Sequence, residues 1–143
     1  MPVFTFPRKI YFQRDIIDDL PGIIAEENIK KALIVTDKII YSIFSKKIEN
    51  FKKSLEISVF SDVNPEPKIE EVEEAYRKLM NFYPDAIIAM GGGSVIDFAK
   101  ALAVKFTYPE KDLSLLNPFE RIDLKTKIIA IPTTSGTGID VLK

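Results

Sequence analysis

Apolar residues along this chain switch between two spacings, and the switches sort it into elements. Residues 31–36 (KALIVT), 86–90 (AIIAM) and 127–131 (KIIAI) are short, nearly continuous apolar runs, as strands covered on both faces require. Residues 55–60 alternate as a strand. Between the first two strands, Ile39, Ile40, Ile43, Phe44, Ile48 and Phe51 recur at helical spacing, with Lys46, Lys47, Lys52 and Lys53 at positions between or beyond them. Ile69, Val72, Tyr76, Leu79, Met80 and Tyr83 mark the face of another helix, supported by pairs four apart, Glu73 with Arg77 and Glu74 with Lys78. From Ser94 to Phe106 apolar residues cover most of the helical wheel, leaving Asp97, Lys100 and Lys105 for a wet or functional face. Strand and helix in regular alternation predict a Rossmann-like α/β fold: one parallel sheet, right-handed crossovers, helices on both faces, in a single domain over 1–143.

The remaining stretches are less regular. Residues 1–13 carry two β-prone pieces separated by Pro7, read as an edge hairpin or arm. Residues 15–28 form a weak helix with Pro21 and Gly22 inside it. Residues 62–67 (DVNPEP) are a turn whose second proline suits a helix start. Residues 107–126 hold two prolines and no clean period, so a loop with one helical turn near 113–116 is expected.

Candidate chemistry gathers at the carboxyl ends of the predicted strands. Three glycines, Gly91, Gly92 and Gly93, join the strand at 86–90 to the following helix, where a backbone without side chains lets an anion reach the helix's free amides. The same residues serve as a sharp turn, with Ser94 and Asp97 spaced as a capping box. Both roles stay open. Asp37, after the strand at 31–36, suits a ribose hydroxyl acceptor or the N-cap of the next helix. Residues 132–138 (PTTSGTG) offer Thr133, Thr134 and Thr137 after the last strand, as nucleotide-binding hydroxyls or an ordinary polar loop. The dinucleotide fingerprint G-x-G-x-x-G fits poorly, because Ile96 stands where a third small residue belongs.

Composition narrows the classes. With 143 residues, 46% hydrophobic and 29% charged, the chain has the material for one globular core. Twenty basic against 21 acidic residues, with no basic stripe interleaved with aromatics, argue against nucleic acid as a partner. No apolar run approaches membrane-spanning length, no signal-peptide plan opens the chain, and cysteine is absent, so a cytoplasmic location is expected. Histidine is absent as well, which removes imidazole both as metal ligand and as acid–base group near neutral pH.

IVTD at 34–37, NPEP at 64–67, DAIIAMGGGSVIDFAK at 85–100 and IPTTSGTG at 131–138, in this order, resemble the amino-terminal nucleotide-binding domain of the iron-containing alcohol dehydrogenases, which share a fold with glycerol dehydrogenase and dehydroquinate synthase. The resemblance implies hydride transfer between an alcohol and NAD(P). It implies pyrophosphate contacts from Gly92, Gly93 and Ser94, with Asp97 near the nicotinamide end. It gives Asp37 to the adenosine ribose, favouring NAD over NADP, and Thr133, Thr134 and Thr137 to the adenine and phosphate side. The family's iron or zinc is held by a helical second domain that this chain does not carry, so no catalytic or metal residue is expected here and the chain alone is expected to be inactive. A stand-alone nucleotide-binding module, a structural remnant, and a glycerol dehydrogenase or dehydroquinate synthase relative are the alternatives. Apolar surface that would meet a second domain leads us to expect a homo-oligomer.

Overall fold

The runs rich in β-branched residues form four strands in the computed structural model, which describes residues 16–115 and 122–133. They are β1 (Lys31–Thr36), β2 (Glu56–Phe60), β3 (Ala86–Gly91) and β4 (Lys127–Pro132), all parallel and ordered β2-β1-β3-β4. The helices are α1 (Leu20–Glu26), α2 (Lys38–Phe51), α3 (Ile69–Leu79) and α4 (Gly93–Thr107). A 3-10 turn at Ile16–Asp19 leads into α1, which carries Pro21 in its first turn, where a missing amide costs nothing. The expected helical turn in the long loop is a 3-10 turn at Leu113–Leu115. The proposed arm at 1–13 lies outside the described residues.

Side chains alternate across the sheet and divide the core in two. Leu33, Val35, Ile87, Ala89 and Ile128 pack with Val72 and Ala75 of α3 and with Val95, Phe98 and Leu102 of α4. Ala32, Ile34, Ile88, Met90, Ile129 and Ile131 pack on the opposite face with α1 and with Ile40, Ile48 and Phe51 of α2. Covered on both faces, the three apolar strands have no need of a polar alternate position. Strand β2 pairs only with β1 among the described residues, and its alternating, half-buried side chains fit that position. Pro132 is the last residue of β4, opposite Gly91, on a strand with a single described neighbour, where a proline leaves no ladder partner unserved.

Periodicity misplaced some side chains. Ile39 and Ile43 are 57% and 55% exposed, because the stripe of α2 that meets the sheet is Ile40, Ile48 and Phe51. Tyr83 and Met80 are exposed beyond the end of α3, Tyr83 with φ of 52°. Lys105, expected on a wet face, is only 6% exposed. Its Nζ lies within 2.8 Å of the Pro109 carbonyl and 2.9 Å of the Lys111 carbonyl, donating to both, so the chain's turn back at the end of α4 buries and satisfies the cation.

At the amino end of the sheet Asp85 acts as a clasp. Its Oδ2 accepts from the backbone amides of Lys30 (2.9 Å) and Lys31 (3.0 Å), while its own amide donates to Lys31 O and its carbonyl accepts from Lys127 N. At the other end the direction of travel reverses: the chain leaves β1 for β2 on one side and returns past it to β3. Such a reversal opens a crevice at the carboxyl ends of β1 and β3.

Candidate functional site

That crevice is a pocket of about 790 Å3. The segments following all four strands line it: residues 37–39 after β1, 62–65 after β2, 92–95 after β3, and Thr133 after β4.

The three glycines have different duties. Gly91 has φ of 153°, and a β-carbon there would stand 2.7 Å from Val95 Cγ2, so this glycine is required by the turn itself. At Gly92 an added β-carbon would meet only the Thr133 carbonyl at 3.8 Å, and at Gly93 it would meet nothing within 4 Å. Packing therefore leaves room for a side chain at both, and the room opens on the pocket. Gly92 is the N-cap of α4 and supplies no side-chain cap. The first intrahelical bond is Ile96 N to Gly92 O at 3.1 Å, which leaves the amides of Gly93, Ser94 and Val95 without helical partners. With the positive end of the helix dipole behind them, these donors suit an anion.

The capping box expected of Ser94 and Asp97 does not form. Ser94 already lies inside the helix, and its hydroxyl donates to the Pro65 carbonyl across the pocket. Asp97 is exposed on α4, one turn further on, and does not line the pocket.

Asp37 does cap α2: its Oδ1 accepts from Ile40 N at 2.8 Å. This occupies one carboxylate oxygen of a half-buried residue that also lines the pocket, so capping and ligand contact are compatible. Beside it Lys38 Nζ stands 3.7 Å from Asp62, both exposed. Thr133 donates its amide to Gly91 O at 2.9 Å, while its Oγ1 is buried with no hydrogen-bond partner among the described residues. A buried hydroxyl left unpaired is unfavourable, and this one lies beside the glycine turn, where a ligand oxygen would satisfy it. The orphaned hydroxyl, the free amides and the open glycines together fit a phosphate-bearing ligand. Thr134 and Thr137 lie outside the described residues.

Residues 62–65 and Lys38 were not singled out as site residues from the sequence. The available signal was positional: 62–65 follow a strand's carboxyl end, as Asp37, the glycines and Thr133 do. Among the described residues no three His, Cys, Asp or Glu side chains are grouped to hold a metal ion, and no helix is long and apolar enough to cross a membrane. The donors of this pocket therefore do not fit an iron or zinc centre.

Residues 7–143 match the family model of the iron-containing alcohol dehydrogenases. The NADPH-dependent butanol dehydrogenase of Clostridium saccharobutylicum is 35% identical over 145 residues, covering 96% of this chain and 36% of that protein. The bifunctional aldehyde-alcohol dehydrogenase of Escherichia coli is 34% identical over 149 residues, covering 94% of this chain and 17% of that protein. The chain thus spans between about a sixth and about a third of the length of these curated relatives. Among solved structures, the NADH-dependent butanol dehydrogenase A of Thermotoga maritima superposes with a TM-score of 0.71 at 28% identity, covering 90% of this chain and 33% of that one.

Proposed function

The chain belongs to the iron-containing alcohol dehydrogenase family, and on that premise we propose that it is the coenzyme-binding portion of an oxidoreductase moving hydride between a small alcohol and NAD. The observation that carries this reading is the pair Gly92 and Gly93, whose missing side chains are explained by access to the pocket and not by packing. The pyrophosphate is held by the amides of Gly93, Ser94 and Val95, with Gly92 giving it room and the Thr133 hydroxyl completing the contact. The adenosine ribose goes to Asp37, with Thr134 and Thr137 closing the adenine and phosphate side and Asp97 toward the nicotinamide. When bound, the nicotinamide supplies the hydride acceptor; this chain's own residues bind and orient it. Among the described residues no three His, Cys, Asp or Glu side chains are grouped to hold a metal ion, so the part assigned to this chain is to bind coenzyme, without oxidising alcohol by itself.

The two butanol dehydrogenases above are named for different coenzymes, one for NADPH and one for NADH, so similarity leaves the choice open. Asp37 supports NAD. Its carboxylate accepts from ribose hydroxyls and repels the additional phosphate of NADP. Calorimetric titration of the chain with NAD and NADP tests both parts. NAD is expected to bind about tenfold or more tightly than NADP, equivalent to about 1.4 kcal/mol, and Asp37→Asn should shrink that ratio. No binding of either dinucleotide would overturn the reading, and a ratio untouched by Asp37→Asn would remove the role of Asp37.

A further inference from the structure

A serine hydroxyl has a single proton to give. At Ser94 that proton goes to the Pro65 carbonyl, on the segment between β2 and α3. Phosphate oxygens are acceptors, so in this arrangement the Ser94 side chain has no donor left for them, whereas its backbone amide, in the first turn of α4, does. The segment it holds forms a wall of the pocket beside Asp37 and Lys38. Elsewhere the wall is tied to β1 by a long hydrogen bond, Val63 N to Thr36 O at 3.4 Å, and to α3 by Asn64 Nδ2 to Glu71 Oε2 at 3.0 Å. Pro65 has no amide of its own with which to anchor itself. The Ser94 hydroxyl is the described tie between this wall and the helix start across the pocket.

We infer that Ser94 is a positioning residue: its hydroxyl sets the distance between the 62–65 wall and the glycine turn, and its side chain serves the adenosine end of the ligand from the phosphate end of the pocket. This rests on the coenzyme reading above. It separates two functions within one residue, the amide for pyrophosphate and the hydroxyl for the wall that borders the ribose.

Titrations of NAD, AMP and inorganic pyrophosphate into wild type, Ser94→Ala and Ser94→Thr, with hydrogen exchange at Val63 N in the unliganded proteins, test it. Ser94→Ala should weaken NAD and AMP by about tenfold, the effect of losing one hydrogen bond, and leave pyrophosphate within about twofold. Exchange at Val63 should quicken, and Ser94→Thr should restore both properties. Pyrophosphate affinity falling in step with NAD, with Val63 exchange unchanged, would overturn the inference and make the hydroxyl a direct phosphate donor. Wild type binding none of the three would overturn the coenzyme reading itself, and the assignment with it.

Discussion

The Lys105 ammonium lies 2.9 Å from the Glu73 carboxylate, joining the two helices that cover one face of the sheet. The same ammonium stands 5.5 Å from the centre of the Tyr76 ring and donates to two loop carbonyls, so it ties α3, α4 and the turn after α4 together. Lys105→Met keeps the aliphatic stem but leaves the two carbonyls and Glu73 without their cation. Because Glu73 is partly exposed, the cost falls below that of breaking a fully buried pair, about 2–3 kcal/mol. Urea unfolding should report it as a lower midpoint, and a loss under about 0.5 kcal/mol would mean that the carbonyls find water instead.

Gly91 and Gly93 should respond in opposite ways to one methyl group. Gly91→Ala drives a β-carbon into Val95 at a backbone angle that L-residues avoid, and is expected to cost about 2–4 kcal/mol. Adding Val95→Ala should recover the steric part only. Gly93→Ala has free space and a helical position, so stability should hold or rise by up to about 1 kcal/mol, while dinucleotide affinity falls because the methyl occupies the anion's approach. Thermal unfolding and calorimetry on the same preparations separate the two.

Asp37→Ala removes the cap on Ile40 N and should cost about 1 kcal/mol. Asparagine caps about as well as aspartate, so Asp37→Asn should keep the stability. Both variants lose the charge proposed to discriminate between the dinucleotides. Equal destabilisation by the two variants would show that the charge, and not the hydrogen bond, stabilises α2.

Burial raises the Tyr76 phenol above its ordinary value of 10.0, with Tyr83 and Glu110 adding to the shift. The folded chain therefore keeps this proton at a pH where the unfolded chain releases it. Stability is complete below pH 10 and declines as pH rises through that value toward the folded phenol's own. Tyr76→Phe should flatten the decline between about pH 9 and about pH 11. Urea midpoints across that range check it, and an identical slope in the variant would assign the alkaline loss to other groups.

The strands were readable because a sheet covered on both faces writes itself as unbroken apolar runs, and the glycine turn because three glycines there have few other uses. Asp37 was readable in both of its roles, and the structure realises the cap. Helical spacing could not tell which of two adjacent apolar stripes on α2 meets the sheet, so Ile39 and Ile43 were placed inward. Lys105 reads as polar in any periodic pattern; its partners, Glu73, Pro109 and Lys111, lie on another helix and a returning loop, which a local window does not join. Ser94 and Asp97 had the spacing of a capping box, but a carbonyl 29 residues away took the hydroxyl. These misses share one cause, a partner distant in sequence.

Asp85 fastens the starts of β1, β3 and β4 to one another at the rim farthest from the pocket. Strand register is thereby pinned at the end of the sheet away from the pocket, which lightens that duty on the loops at the other end. Asp62 and Asn64 should accept wide replacement, as in a randomised library, with the sheet intact and ligand preference altered, whereas Val63, buried in the core between them, should not. A scaffold held at its base and left free at its crown has the anatomy of a family that keeps one fold while changing what it recognises.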